Sequence, residues 1–204
     1  MGKYIVGITG ASGSIYADRF IRQLLKYKHQ VILIITEAGK KVLKQELNLD
    51  LAVLRTEEEI ESYLKGYFSV ADHTGDLTYY DIGRIGAPIS SGSFPVDGMI
   101  VLPCSMATVS AIARGASDNL LERAADVALK ERKRLIVVPR EAPLNVIHLQ
   151  NLLLLAQCNV RIIPASPSFY HLPETIEELV GFFVGRIMDQ LGIEHDFIKR
   201  WEGI

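Results

Sequence analysis

The first residues that could do chemistry form a turn of small residues near the amino terminus. A short apolar segment, Lys3–Thr9, predicts a β-strand, and it runs directly into Gly10-Ala11-Ser12-Gly13. Small residues between a strand and a helix let backbone N–H groups approach a phosphate or a ring closely, at the positive end of the helix. The pattern predicts a phosphate-binding turn. The alternative is a tight turn that only joins the strand to the helix.

This turn lacks two features of a dinucleotide site. The full fingerprint requires a glycine where Ile8 stands, and an acidic residue at the tip of the second strand to bind a ribose. The second strand is predicted over Gln30–Thr36, so its tip is the hydroxyl residue Thr36, with Glu37 just after it. A hydroxyl suits a phosphate oxygen better than a carboxylate does. The pattern therefore favours a mononucleotide such as FMN over NAD.

A second turn of the same kind follows the strand predicted over Gly98–Pro103. It reads Cys104-Ser105-Met106-Ala107-Thr108 and opens a helix of small residues. In a doubly wound sheet the first and fourth strands flank the switch point where ligands bind, so both turns would face one crevice. Two ordinary helix caps are the alternative. We expect Cys104 to be a small buried apolar residue and not a nucleophile.

Two cations on one predicted helix could bind a further phosphate. Arg123 and Lys130 are seven residues apart, so they lie on one helix face, two turns from each other. A pair of cations in this arrangement can grip a phosphate or a pyrophosphate. Spacing alone favours a plainer interpretation, a solvated face on which Glu122 and Asp126 are the partners of these cations.

Two loops at predicted strand ends add polar and aromatic groups. Arg140 and Glu141 follow the fifth strand between two prolines, where Arg140 could bind phosphate and Glu141 could move a proton or position a cation. A salt-bridged loop is the alternative. The loop Pro164–His171 contains Tyr170, and aromatic faces can hold a flat ring or stabilise a developing carbocation. We expect His171 to be structural.

The elements that would hold these residues alternate between strands and helices. Near-continuous apolar strands between amphipathic helices indicate a parallel sheet with both faces covered. We expect an α/β protein, a three-layer α/β/α Rossmann-like fold with a mostly parallel six-stranded sheet. One flavin-binding domain would cover 1–204 and end in a helical tail from about residue 192. The segment 72–93 is expected to form loops and short extended pieces. Helices are predicted over Ile15–Lys28, Glu37–Leu47, Thr56–Tyr67, Asp118–Arg132, Pro143–Cys158 and Pro173–Leu191.

The composition argues against several other classes of protein. The formal charge is −2 without any run of Lys or Arg, so neither nucleic acid nor a membrane is an expected partner. No apolar run reaches transmembrane length, and the first residues lack the pattern of a signal peptide. Cys104 and Cys158 are far apart, with neither metal-ligand spacing nor a disulfide framework. We therefore expect a cytoplasmic protein without a metal site.

Taken together, these segments resemble the flavin prenyltransferase family, also called the UbiX family and long described as aromatic acid decarboxylases. The resemblance covers almost the full chain, and its most specific stretches are Thr9–Gly13, Leu121–Pro143 and Pro164–His171. It implies transfer of a dimethylallyl group from dimethylallyl phosphate or diphosphate to N5 and C6 of reduced FMN. The prenylated FMN would serve a partner UbiD-type decarboxylase, for example in ubiquinone biosynthesis.

The resemblance also implies roles for individual residues. Ser12 would lie near N5 of the flavin, and Glu46 and Trp201 match a carboxylate and an aromatic residue of the family pocket. The cofactor-binding residues would be Gly10, Ala11, Ser12, Thr36, Ser105, Met106, Ala107, Thr108 and Arg140. Arg123, Lys130, Tyr170 and Arg186 would bind the dimethylallyl phosphate, and the catalytic residues would be Ser12, Glu46, Lys130, Glu141 and Trp201. No metal ligand is implied.

Members of this family assemble into large homo-oligomers, commonly dodecamers, with FMN between subunits, so one pocket would draw on several chains. Three alternatives stay open. A flavin-dependent decarboxylase of cysteinyl substrates would need a histidine in the loop Ile89–Ser93 and an Asn-Met motif after the fifth strand. The chain has no histidine in this loop, and Val146 follows Asn145. The others are direct decarboxylation of aromatic acids and a non-catalytic flavin carrier, which has no use for the second set of cations.

Overall fold

The computed structural model describes residues 1–70, 75–200 and 203. Its centre is a six-stranded sheet in the order β3-β2-β1-β4-β5-β6, in which every neighbouring pair is parallel. The strands are β1 (Lys3–Ile8), β2 (Gln30–Ile35), β3 (Asp76–Tyr80), β4 (Gly98–Cys104), β5 (Arg134–Pro139) and β6 (Arg161–Ile162). The helices are α1 (Ser14–Lys26), α2 (Glu37–Leu47), α3 (Glu57–Tyr67), α4 (Met106–Ala113), α5 (Leu120–Lys130), α6 (Val146–Gln157) and α7 (Ile176–Leu191).

Residues of β1, β2, β4 and β5 alternate between two apolar layers, which explains why these strands are continuous apolar runs. In β1, Val6 and Ile8 pack on one face of the sheet and Ile5 packs on the other. The first layer holds Phe20 and Leu24 of α1 with Val184 and Met188 of α7, and the second holds Leu121 and Ala124 of α5 with Leu155 of α6. Burial on both faces is typical of parallel sheets. The predicted three-layer fold is confirmed.

Polar caps set where the helices begin. The side chain of the residue before each helix from α2 to α7 accepts a hydrogen bond from a backbone N–H of the first turn, and these caps are Thr36, Thr56, Ser105, Asn119, Asn145 and Thr175. Asn145 explains why α6 starts later than the predicted Pro143. Its side chain accepts from the N–H of His148, so the first turn forms there.

The strand β3 lies in a segment for which the sequence predicts only loops and short extended pieces. It pairs in parallel with β2 at the edge of the sheet. Carboxylates of α3 satisfy backbone groups at this edge, because Glu61 accepts from the N–H of Tyr79 at 2.9 Å and Glu57 accepts from that of Asp81 at 2.7 Å. Capped amides make an edge strand less able to pair with another chain. One of the expected short extended pieces, Asp76–Tyr80, is thus a regular strand of the sheet.

The prediction of a helical tail is wrong for the described residues 192–200, which form no helix. The helix α7 ends at Leu191 because Gly192 adopts a left-handed conformation with φ of 73°. The chain then turns back along α7, and Nε2 of His195 donates to the backbone oxygen of Gly185 at 2.9 Å.

Candidate functional site

Predicted site residues follow the carboxyl ends of the strands. Ser12 lies in the turn after β1, Thr36 follows β2, Ser105 follows β4 and Arg140 follows β5. Because all strands are parallel, these residues lie at one edge of the sheet. The strands β1 and β4 are neighbours, and the helices that follow them, α1 and α4, pack on opposite faces. This is the switch point at which an α/β sheet opens a crevice.

The side chain of Thr9 joins the two strands that flank this crevice. Its hydroxyl donates to the backbone oxygen of Pro103 at 2.9 Å and accepts from the backbone N–H of Ser105 at 2.7 Å. Thr9 is completely buried, so solvent cannot replace either bond. The hydroxyl therefore holds the turns after β1 and β4 side by side.

The backbone of the first turn lies close to the start of α2. A Cβ atom added at Gly10 would come within 2.5 Å of Cβ of Ala38, so only glycine allows this approach. The hydroxyl of Thr36 accepts from the N–H of Gly39 at 3.0 Å. Thr36 thus acts as the cap of α2 and lies beside the first turn.

A carboxylate from α2 binds the amino-terminal end of α1. Gly13, with φ of 111°, offers no side chain as a cap, and Oε2 of Glu46 accepts from the N–H groups of Gly13 at 3.0 Å and Ser14 at 2.7 Å. Burial by itself raises the pKa of Glu46, but hydrogen bonds from the Ser12 hydroxyl and from the backbone of Ser14 and Gly13 outweigh it and lower the pKa. Glu46 is therefore ionised at neutral pH, in contact with the exposed Ser12.

The second turn brings Arg140 to the same crevice. The hydroxyl of Ser105 lies 3.1 Å from that of Thr108, and the backbone oxygen of Cys104 accepts from the N–H of Arg140 at 3.3 Å. Met106 is buried and Ala107 is exposed. Burial raises the pKa of the Cys104 thiol, so it stays protonated, as expected of an apolar core residue.

Arg140 and Glu141 are exposed, and they lead into a helix with an apolar outer surface. Oε1 of Glu141 accepts from the N–H of Ala142 at 3.1 Å. The exposed apolar side chains of α6 and of the residues before it, which we call the α6 face, are Leu144, Val146, Ile147, Leu149 and Leu153. Five exposed apolar side chains on and next to one helix, beside charged residues, are typical of a protein–protein interface.

The aromatic loop packs on a residue that the sequence did not single out. The ring of Tyr170 meets that of Phe182 edge-on at 5.5 Å between centroids, and His171 stacks on Phe182 at 4.2 Å. Phe182 precedes Arg186 by one turn of α7, so the two share a helix face. The only sequence signal for Phe182 was its place in an amphipathic helix.

Asp189, which the sequence did not single out, binds the side chain of Arg186. Its guanidinium lies 2.8 Å from the carboxylate of Asp189, three residues further along α7. Arg200 binds the same carboxylate at 2.9 Å. Trp201, a predicted site residue, lies outside the described residues.

Lys130 lies at the opposite edge of the sheet from Ser12 within one chain. The helix α5 ends at Lys130, just before β5 begins at Arg134, and Arg134 pairs with Gly98 at the start of β4. Ser12 follows the far end of β1, and a six-residue strand is about 20 Å long. A lysine side chain cannot bridge that distance, so a single chain does not bring these two predicted site residues together.

Arg123 lies one turn into the same helix, which begins near the carboxyl edge where the N–H of Leu120 donates to the backbone oxygen of Ile82. Arg123 is 3.6 Å from Asp126, and Lys130 is 3.8 Å from Glu131. About half of each side chain is accessible, 40% for Arg123 and 53% for Lys130, and such exposed ion pairs are weak enough for an anion to compete with the acidic neighbours.

Within 1–70 and 75–200, no cluster of three or more His, Cys, Asp or Glu side chains is arranged to hold a metal ion. In the same part of the chain, no helix has both the length and the apolar character needed to cross a membrane.

Comparison with known sequences points to one group of proteins. The profile of the family described as Flavoprotein matches residues 2–188. Flavin prenyltransferase UbiX of Halalkalibacterium halodurans is 48% identical over 200 residues, which cover 98% of this chain and 93% of that protein. Flavin prenyltransferase UbiX of Thermoplasma acidophilum is 46% identical over 199 residues, which cover 98% and 99%.

Solved structures agree. The crystal structure of AnUbiX in complex with FMN and dimethylallyl pyrophosphate matches with a TM-score of 0.87 at 34% identity, over 100% of this chain and 98% of that one. A dodecameric FMN-dependent UbiX-like decarboxylase from Escherichia coli O157:H7 matches with a TM-score of 0.84 at 37% identity, over 98% and 100%. The peptidyl-cysteine decarboxylase EpiD, at 19% identity and a TM-score of 0.59, shares the fold alone.

The Thr9 bridge makes a direct prediction about stability. Replacing Thr9 by valine keeps the shape but leaves the N–H of Ser105 buried without an acceptor, which costs about 1–3 kcal/mol. We expect Thr9→Val to lower the free energy of unfolding by this amount in urea and to weaken FMN binding, measured by quenching of flavin fluorescence. Thr9→Ser keeps the hydroxyl and is the matched control. A Thr9→Val variant as stable as the unmodified protein would contradict the bridge.

Proposed function

The chain belongs to the flavin prenyltransferase family, and we propose that it transfers a dimethylallyl group from dimethylallyl phosphate or diphosphate to N5 and C6 of reduced FMN. The prenylated FMN then passes to a partner UbiD-type decarboxylase. The observation that carries this proposal is the similarity to UbiX proteins over nearly the full length of each chain. One of these relatives was solved with FMN and dimethylallyl pyrophosphate.

The residues of the crevice fit FMN. The backbone approaches closely at Gly10, Ser12 exposes its side chain at the start of α1, and Arg140 adds a cation at the same edge. We assign FMN binding to Gly10, Ala11, Ser12, Thr36, Ser105, Met106, Ala107, Thr108 and Arg140. Bound reduced FMN supplies N5, the nucleophilic atom, and the neighbouring C6, at which the new ring closes.

Ser12 and Glu46 act as a pair beside N5. The ionised carboxylate of Glu46 accepts from two backbone N–H groups at the start of α1, and its interaction with the Ser12 hydroxyl lowers the pKa of the carboxyl group. A hydroxyl beside an ionised acid can carry a proton between the flavin edge and the carboxylate. Glu141 is the second carboxylate that removes a proton when the ring closes.

Cationic side chains stabilise the leaving phosphate. The allylic C–O bond breaks with its electron pair on the phosphate oxygen, so negative charge grows there and positive charge grows on carbon. We assign the phosphate to Arg123, Lys130, Tyr170 and Arg186. The aromatic face of Tyr170, and that of Trp201 from the segment that follows residue 200, stabilise the carbocation.

This division of roles requires more than one chain. Lys130 lies at the amino edge of the sheet and Ser12 at the carboxyl edge, so Lys130 of one chain serves the crevice of a neighbour. The α6 face supports assembly, because its apolar side chains are exposed beside Arg140 and Glu141. We infer a homo-oligomer, with the dodecamer of the Escherichia coli relative as the expected form.

We infer that residues 1–204 work as one flavin-binding domain, since a single sheet carries all the turns of the crevice. We also infer that the protein works in the cytoplasm. Cys104 and Cys158 are both free, one buried and one exposed, which suits a reducing compartment.

The reaction itself can be tested with purified protein, reduced FMN and dimethylallyl phosphate or diphosphate under anaerobic conditions. We expect the flavin to gain the mass of one five-carbon prenyl unit and to change its absorption spectrum. No carbon dioxide should be released from aromatic acids without a partner enzyme. If the flavin stays unchanged with both donors, the proposal is contradicted. Release of carbon dioxide by the protein alone would favour a direct decarboxylase.

The role of Lys130 separates prenyl transfer from flavin storage. We expect Lys130→Ala to keep its affinity for FMN and to lose about a hundredfold or more in kcat, because one charge that stabilises the leaving phosphate is removed. Lys41→Ala, which changes an exposed lysine of α2, is the control and should retain both properties. Loss of FMN binding in the Lys130 variant would contradict this division of roles.

The α6 face makes a prediction about assembly. We expect Leu153→Lys to give a smaller particle in size-exclusion chromatography with light scattering, because it places a charge in an apolar interface. Activity should fall with it, since the site is shared. Val53→Lys, at a single exposed apolar residue outside α6, is the matched control. A Leu153 variant with the mass of the unmodified protein would exclude the α6 face as an interface.

A further inference from the structure

The segment after α7 packs along that helix through a close contact at a glycine. A Cβ atom added at Gly185 would come within 2.6 Å of Cγ2 of Ile198 and 3.1 Å of Cε1 of His195. The side chain of His195 is fully buried against α7. Tyr27, which directly follows α1, donates a hydrogen bond to Asp196 from the other side. The segment 193–200 is therefore seated between α7 and α1.

One carboxylate on α7 gathers the polar contacts of this segment. Asp189 binds Arg186 at 2.8 Å, Nε2 of His195 at 3.1 Å and Arg200 at 2.9 Å. Burial by itself raises the pKa of Asp189, but hydrogen bonding and charge from Arg200 and the charges of His195 and Arg186 outweigh it and lower the pKa. The carboxylate is thus ionised and faces three groups that donate to it.

Nδ1 of His195 has no hydrogen-bond partner among the described residues. A buried nitrogen without a partner is costly, and an apolar side chain would fill this space at less cost. The histidine instead ties the segment to the same carboxylate that holds Arg186, which is one of the proposed phosphate ligands.

The seated segment forms one wall of a cavity of about 550 Å³. Phe197, Ile198 and Lys199 face Phe182 of α7 and Arg19 of α1 across it. Phe182 is also the ring on which Tyr170 packs. The seating of the segment therefore shapes the surroundings of two proposed substrate-binding residues, Tyr170 and Arg186.

We infer that Asp189 is a positioning residue of the prenyl-transfer site: by binding Arg186, His195 and Arg200 together, it seats the C-terminal segment on α7 and orients the Arg186 guanidinium toward the prenyl phosphate. This inference rests on the proposed function. Asp189 does not contact the substrate, and it acts through Arg186 and through the seated segment.

Two variants test this role in different ways. Asp189→Asn keeps the shape and removes the charge, whereas Gly185→Ala leaves all charges and pushes Ile198 away. Gly66→Ala is the control, a glycine within α3 whose added Cβ meets nothing within 4 Å. Trp201 is the one tryptophan of the chain and follows Arg200 directly, so acrylamide quenching of its fluorescence in the full-length protein without FMN reports on the segment.

We expect both variants to increase tryptophan quenching and to raise KM for dimethylallyl phosphate by about tenfold, with a smaller fall in kcat and an unchanged affinity for FMN. Gly66→Ala should match the unmodified protein in every measurement. Asp189→Glu, which keeps the negative charge, should show a smaller rise in KM than Asp189→Asn.

Unchanged quenching and KM in Asp189→Asn would overturn the inference. A loss of FMN affinity as large as the rise in KM would also overturn it, because the two together indicate a general loss of structure. Failure of the unmodified protein to prenylate FMN would instead refute the proposed function. The quenching comparison would still decide in that case whether Asp189 seats the segment.

Discussion

The buried hydroxyl of Thr9 holds the end of β1 against the end of β4, and the candidate site is built around that junction. A parallel sheet delivers all its carboxyl ends to one edge, but it does not by itself keep two turns close enough to share a ligand. Thr9 does this with two hydrogen bonds that water cannot reach. The backbone N–H of Arg140 donates to the backbone oxygen of Cys104. Glu46 of α2 accepts from the backbone N–H of Ser14 at the end of the first turn.

Much of the fold follows from local sequence because the strands are buried on both faces. Continuous apolar runs marked β1, β2, β4 and β5, and apolar residues at helical spacing marked the helices between them. The strand β3 was expected only as one of several short extended pieces, because it lies at the sheet edge and is rich in polar and aromatic residues, Asp76–Tyr80. Its pairing depends on β2 and on two glutamates of α3, which are contacts that no local pattern contains. The non-helical path of 192–200 likewise depends on packing against Gly185.

The candidate site was predictable where its residues follow strands, and less so elsewhere. Helical spacing shows that Arg123 and Lys130 share a face, but it does not tell which edge of the sheet that face approaches. Only the direction of α5 relative to β5 reveals that Lys130 lies far from Ser12 of its own chain. Phe182 and Asp189 went unnoticed because their importance comes from tertiary partners, the rings of Tyr170 and His171 and the side chains of His195 and Arg200. Neither residue type nor spacing distinguishes them.

The central claim is that one crevice, formed at the carboxyl edge and completed by a neighbouring chain, brings FMN and a prenyl phosphate together. A crystal structure of the assembled protein with FMN and dimethylallyl phosphate tests this most directly. The account predicts the FMN phosphate at the turns that Thr9 joins, N5 beside Ser12, and Lys130 of a neighbouring subunit at the prenyl phosphate. FMN bound elsewhere, or Lys130 of every subunit remote from the donor phosphate, would contradict it.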